Sequence, residues 1–236
     1  MFNEFGADVL VLAGDFGGGC FHGEKVPDNY RANISHYNKF LKAARKNWKH
    51  VICCWGNHDM WHGCLPVDYF GHIYDIDNVR FICTPLFSQI PLPRMLVEDM
   101  KPLKWFDLRQ IESPYGGNIK CHEYNHYNDR CLDWLEKQLE ALPEDMSKHA
   151  VVVSHHLPLQ ECVSLNYRGD PDNVFFSNDL AKLIDWHQEN IRFWIHGHSH
   201  DVHEMDVYGV KIVRNPIGYL KYSEGKDYKN RILEIN

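Results

Sequence analysis

No Cys-x-x-Cys pair occurs in this chain, no apolar run approaches membrane-spanning length, and no basic-then-apolar leader opens it. The first absence removes the commonest zinc-ribbon and thiol-redox signatures. Eight cysteines are present, but Cys53 and Cys54 lie in an apolar run, where buried thiols are common. They read as reduced, intracellular thiols, with a zinc–thiolate centre as the less favoured reading. The other two absences give an expected cytoplasmic location and no membrane partner. Positive charge is also short. Against 32 Asp and Glu there are 25 Lys and Arg, a net charge of −7 with His neutral. That balance argues against sequence-independent binding of long nucleic acid. Internal repeats and low-complexity tracts are missing too. With 44% hydrophobic residues over 236 positions, the chain can build a full core, and a single domain over 1–236 is expected. Nothing in the composition assigns an oligomeric state.

What is present is an alternation of strand and helix patterns. Residues 7–13 (ADVLVLA) form a nearly continuous apolar run, as in a strand covered on both faces. Gly17-Gly18-Gly19 then interrupts regular structure. Ile34, Tyr37, Phe40, Leu41 and Ala44 recur at helical spacing, which predicts a helix around 33–48. Residues 51–54 and 79–83 read as strands. Over 84–128 the pattern blurs, with prolines at 85, 91, 93, 102 and 114; this stretch is a candidate cap or insertion. Leu132, Leu135, Leu139 and Leu142 mark a second helix. Residues 150–154 (AVVVS) and 191–195 (IRFWI) are strands, with a helix between them capped by Ser177. Segments 202–208 and 210–213 flank Gly209 as a hairpin, and 231–235 could close the sheet. The alternation predicts a layered α/β domain.

The chemistry sits where strands stop. The first strand delivers Gly14-Asp15 and the second Gly56-Asn57-His58-Asp59. Later strands deliver His155-His156 and Gly197-His198-Ser199-His200. Ligands of open α/β sheets bind beyond the carboxyl ends of strands. One carboxylate, one amide and several imidazoles are thereby aimed at one rim. Imidazole suits zinc, iron and nickel, while carboxylate and amide oxygen suit harder ions such as manganese. A carboxylate can bridge two cations, and an asparagine carbonyl adds a ligand without adding charge. Glycine lets the backbone turn sharply beside them. Asp59 is a candidate for orienting His58.

These blocks resemble the calcineurin-like metallophosphoesterase superfamily, whose motif order is Asp-x-His, Gly-Asp, Gly-Asn-His-Asp/Glu, His and Gly-His-x-His. Four of the five blocks stand here in order between Gly14 and His200. The stretch from Trp194 to His200, and Asn215-Pro216-Ile217-Gly218-Tyr219, resemble the compact bacterial and phage members. The resemblance implies a layered β-sandwich flanked by helices. It implies two divalent transition-metal ions (Mn, Fe, Zn or Ni, with Mn favoured). Asp15 would bridge them, Asn57, His155 and His198 would complete one ion, and His200 would bind the other. His155 is preferred to His156 as the nearer to its strand end. The implied activity is hydrolysis of a phosphomonoester or phosphodiester by metal-activated hydroxide, with His58 protonating the departing oxygen. The alternative is a non-catalytic binding module on a degenerate phosphoesterase scaffold.

The opening Asp-x-His block is absent, because only residues 1–6 precede the first strand. The favoured reading is a chain lacking an N-terminal segment and the first strand of the fold. The others are a site working with one well-held metal, and a degenerate scaffold. Gly18 stands where a further acidic residue of the Gly-Asp block would fall.

Several residues have a plainer reading beside the functional one. His196 reads as structural. His122 and His126 read as a solvated loop. Arg168 lies in a polar turn and is a candidate phosphate contact. Trp61, Trp105 and Phe106 could stack on an aromatic leaving group, with ordinary packing as the simpler assignment.

Overall fold

The computed structural model describes residues 3–15, 31–61, 63–100, 105, 107–143, 149–219 and 224–235. The Gly17-Gly18-Gly19 stretch, His62 and Phe106 lie outside them. The elements are β1 (Val9–Ala13), α1 (Arg31–Ala44), β2 (His50–Cys54), β3 (His72–Ile76), β4 (Val79–Thr84), α2 (Leu92–Met100) and α3 (Asp107–Gln110). They continue with α4 (Cys121–Glu140), β5 (Ala150–Ser154), α5 (Ala181–Trp186), β6 (Ile191–His196), β7 (His203–Val207) and β8 (Val210–Arg214). Short 3-10 turns at Gln160–Cys162, Leu165–Tyr167 and Pro171–Phe175 link β5 to α5, and another, Glu224–Asp227, follows β8.

β1 and β2 pair in parallel, Val9 opposite His50 and Ala13 opposite Cys54. The remaining strands form one sheet in the order β3-β4-β5-β6-β8-β7. It is parallel from β4 to β8 and antiparallel at both edges. Side-chain alternation explains how the sheets stack. Val9, Val11, Ala13, Ile52 and Cys54 meet Phe81, Cys83, Val151, Val153, Phe193 and Val213 in one core between the sheets. The intervening residues Leu10, Leu12, Val51 and Cys53 turn the other way, toward Leu41 of α1 and the tyrosines of α4. On the far face of the large sheet, Ile82, Val152, Trp194 and Ile212 lie under Leu135, Leu139 and Ile184. The result is two sheets face to face with helices outside, the expected layered α/β sandwich. Burial on both faces is why β1, β2 and β5 read as unbroken apolar runs.

Four details differ from the sequence reading. β3 is an added edge strand, with Asp75 directly opposite Arg80 and bonded to its Nε at 2.7 Å. α4 begins at Cys121, not near Leu132, because Glu123 reaches back to the Lys120 backbone N–H at 2.8 Å and closes a capping box. His122 and His126 are therefore exposed helix residues, not loop residues. Ser177 does not cap α5: the cap position is Leu180, and the Ser177 hydroxyl donates to the Asn173 carbonyl. Residues 231–235 carry no strand, although Leu233 and Ile235 still pack into the inter-sheet core. No helix among the described residues is long and apolar enough to cross a membrane.

Ile52 is 1% exposed at the centre of the inter-sheet core. Ile52→Ala should cost about 2–5 kcal/mol in urea unfolding. Val67→Ala, on the surface, should stay within about 0.5 kcal/mol.

Candidate functional site

β1, β2, β5 and β6 all end at one rim, and a residue one to three positions past each strand end enters the same small volume. Asn57 and His155 are 2% and 1% exposed. His155 Nε2 lies 2.9 Å from Asn57 Oδ1, 3.2 Å from His198 Nδ1 and 3.3 Å from Asp15 Oδ2. His198 Nδ1 is 3.1 Å from Asn57 Oδ1. The expected cluster of Asp15, Asn57, His155 and His198 is thus brought together.

The protons of His155 and Asn57 point elsewhere. His155 Nδ1 lies 2.8 Å from the Ala13 carbonyl, to which it donates, so its Nε2 faces inward as a lone pair. Asn57 donates its Nδ2 to Asp107 Oδ1 at 2.8 Å, which turns Oδ1 inward. The carboxylate of Asp15 can only accept. Three acceptor atoms thus crowd together beside His198 Nδ1, and a shared proton or a metal ion among them relieves their repulsion. Bonds of about 2.0–2.2 Å to one ion separate neighbouring donors by about 3.0–3.5 Å. The observed spacings match that geometry, so the donor set fits a divalent ion.

Electrostatics agree. Burial alone would raise the Asp15 pKa, but the imidazoles of His155 and His58 hold it down at about 2. Burial works against a charged His155, yet Asp15 outweighs it and raises the ring's basicity. Burial pushes His198 well below the ordinary histidine range, so the ring is neutral and one of its two nitrogens carries a lone pair. Both Asp15 (φ 58°) and His198 (φ 65°) adopt left-handed backbone, a conformation that costs of order 1–3 kcal/mol and clusters at ligand sites.

Asp59 is fully buried and holds the loops together. Its Oδ2 accepts from the Asp15 N–H at 2.9 Å and the Gly56 N–H at 2.8 Å. The orienting role expected toward the His58 ring is thus exerted on backbone. Burial, then the charge of Asp15, pushes its pKa up to about 6. The loops approach so closely that a Cβ at Gly14 would strike the His155 ring, and one at Gly56 would strike Asp15.

The remaining expected residues divide. His156 is not in the cluster: its Nδ1 lies against the Pro85 carbonyl and its Nε2 against the Tyr124 hydroxyl, at 3.3 and 3.2 Å. Its ring instead stacks on His198 at 4.2 Å. His200 stands outside the four-donor group, with Nδ1 2.9 Å from Glu224 Oε2. A carboxylate partner of this kind orients an imidazole and leaves Nε2 as donor. Glu224 carries no motif that sequence reading could have used. Arg168 is exposed, and its charge acts on His203. The charges acting on Asp15 are instead those of His155 and His58.

His58 stands at the rim. Its ring stacks on Trp61 at 3.5 Å, and its Nε2 is 3.9 Å from Asp15 Oδ2 and 3.4 Å from the Tyr219 hydroxyl. Burial lowers its pKa against the pull of Asp15 and Asp107. Behind it lies a residue the sequence reading missed. Asp107, 1% exposed, accepts from Asn57 Nδ2 and from Trp61 Nε1 at 2.6 Å through Oδ1, and from Trp105 Nε1 at 3.1 Å through Oδ2. Trp105 in turn stacks on Phe175 at 4.4 Å. One buried carboxylate thus fixes the amide of Asn57 and the indole under His58. Asp107→Asn should keep the fold but lower divalent-metal affinity by about 10–100-fold, read by calorimetric titration.

A family model for calcineurin-like phosphoesterases matches residues 1–202. Among curated proteins, the uncharacterized protein L509 of Acanthamoeba polyphaga mimivirus is 26% identical over 154 residues, 62% of this chain. The chain spans about half of that relative's length, 52%. Among solved structures, the phosphopantetheinyl hydrolase of Mycobacterium tuberculosis superposes with a TM-score of 0.66 at 15% identity. The match covers 96% of this chain and 85% of that one. The family match, the shared sandwich and the four donors at its rim lead to one assignment: the chain belongs to the calcineurin-like phosphoesterase family.

Proposed function

We propose that this protein is a metal-dependent phosphoesterase that cleaves a phosphomonoester or phosphodiester at the rim carrying Asp15, Asn57, His155 and His198. The observation that carries the reading is the convergence of acceptor atoms on one point, at the spacing of a coordination shell. The family generally binds divalent metals, and manganese is the ion we favour for assay. Divalent ions bound there would supply Lewis acidity to phosphoryl oxygens and lower the pKa of a water.

The chain's own residues do the rest. Asp15, one of the four donors, lies between His155 and His58 and would be shared with a second ion, for which His200, oriented by Glu224, would be a further ligand. His58 meets the phosphate at the open edge. An anion arriving beside it favours the imidazolium, so the ring gains its proton as substrate binds. It can then hand that proton to the departing oxygen. Trp61, tied to Asp107, holds the imidazole plane while this happens. We read residues 84–128 as an insertion of the single domain over 1–236. It contributes Asp107 and Trp105 to the floor of the site. The protein's own substrate would be a soluble phosphate ester.

The test is hydrolysis of an aryl phosphate, a bis-aryl phosphate and an alkyl phosphate with manganese. Activity should require the ion. His58→Ala should keep most of its bound metal yet lose about 10²–10⁴-fold in turnover. The loss should be larger on the alkyl ester, whose leaving oxygen needs the proton more. A variant that cleaves the alkyl ester at the parent rate would remove His58 from this role. A metal-loaded protein inert on every ester would remove the proposed activity.

A further inference from the structure

We propose that Cys162, His196 and His203 form a separate ion site for a thiophilic cation, copper(I) or zinc(II). It does not depend on the phosphoesterase reading. The three ligand atoms lie within 4.8 Å of one another, and none belongs to the four-donor cluster.

The sheet explains the convergence. His196 ends β6 on the same face as Trp194, the face turned toward the helices. β8 pairs with β6 on one side and with β7 on the other. Arg214 of β8 lies directly opposite His203 of β7, and Met205 shares the face of His203 two residues on. Cys162, at the end of the Gln160–Cys162 turn, lies over this surface with its Sγ 3.9 Å from Met205 Sδ. One face of three neighbouring strands and one turn thus gather two imidazoles, a thiol and a thioether.

An independent observation points to a ligand. His196 is 2% exposed, and its Nδ1 lies 3.2 Å from the Gly197 carbonyl. Its Nε2 is buried with no hydrogen-bond partner, and so is Nδ1 of His203. Two buried imidazole nitrogens without partners beside a buried thiol are costly unless something binds them. Bonds of about 2.0 Å to nitrogen and 2.3 Å to sulfur need donors about 3.5 Å apart. Side-chain rotations on binding would have to close the remaining gap.

The donor types select the ion. Thiolate and thioether favour copper(I) and zinc over manganese or magnesium. The ion displaces the thiol proton of Cys162, which leaves to solvent. Burial holds that thiol up at about 12 even though Arg214 opposes it, so the proton goes only in exchange for a strongly bound cation. Arg214 is 0% exposed and pairs with Asp201 at 2.6 Å. With the thiolate and Asp201 negative, a monovalent ion and Arg214 leave this group neutral. That balance favours copper(I). Arg214 also donates to the carbonyls of Asp201 and Cys162, both at 2.8 Å. An ion on Cys162 would therefore brace the loop that carries His198 and His200.

The experiment uses the full chain stripped of metal and reduced. Cobalt(II) is the probe for zinc, and copper(I) is added against a copper(I)-selective chelator. One equivalent of cobalt should give a sulfur-to-cobalt charge-transfer band that survives His155→Ala and vanishes in Cys162→Ser. His203→Ala, a half-buried position that spares the core, should weaken binding at least tenfold. Circular dichroism checks that each variant is folded. Copper(I) held at one equivalent against the chelator identifies copper, and zinc displacing cobalt while copper(I) is lost identifies zinc. Either supports the site. No thiolate-bound ion at one equivalent, or a band unchanged in both Cys162→Ser and His203→Ala, overturns it.

Discussion

Mutual repulsion among acceptor atoms is the constraint around which this protein is built. The inward atoms of Asp15, Asn57, His155 and His198 stand about as close as hydrogen-bonded pairs, yet His155 Nδ1 and Asn57 Nδ2 spend their protons outside the cluster. Positive charge at the centre, a proton or a metal ion, relieves that crowding. Everything nearby serves to keep the acceptors aimed inward. The Ala13 carbonyl fixes the tautomer of His155, Asp107 fixes the amide of Asn57, and Asp59 ties the first two loops to each other.

The three carboxylates around the site, one half-buried and two buried, have different environments and different duties. Asp15 sits between imidazoles and stays ionised. Asp59 and Asp107 are pushed upward by burial despite accepting several hydrogen bonds each. Bringing a divalent ion to Asp15 would relieve the repulsion that Asp59 feels from it, so loop closure and ion binding reinforce one another. The aromatic residues extend the same scaffold outward, from Phe175 through Trp105 and Asp107 to Trp61 and the His58 ring.

Much of this was legible in the sequence because parallel strands buried on both faces leave unbroken apolar runs, and each run here ends in a motif. Gly14-Asp15, Gly56-Asn57, His155 and Gly197-His198 could be found that way. The misses have physical reasons. β3 is an edge strand whose charges pair across to β4, so it lacks an apolar signature. The first turns of α4 are polar and capped through Lys120 and Glu123, without the serine or threonine that usually announces a helix. Asp107 and Glu224 are single carboxylates whose meaning comes from distant partners, Asn57 and His200. The preference for His155 over His156, made from its place at the strand end, agrees with the structure, because adjacent residues leaving the strand diverge: one meets Asp15, the other meets Tyr124.

The left-handed turn at Asp15 reaches beyond the site's chemistry. That conformation is tolerated by aspartate and asparagine but resisted by longer or branched side chains. Glutamate, though it bears the same charge, would hold the turn at a cost of about 1–2 kcal/mol and carry its oxygens one methylene farther out. Asparagine would accept the turn and forfeit the negative charge. Inheritance at this position is therefore filtered twice, once by the peptide chain's own shape and once by the electric field it must supply, and aspartate passes both.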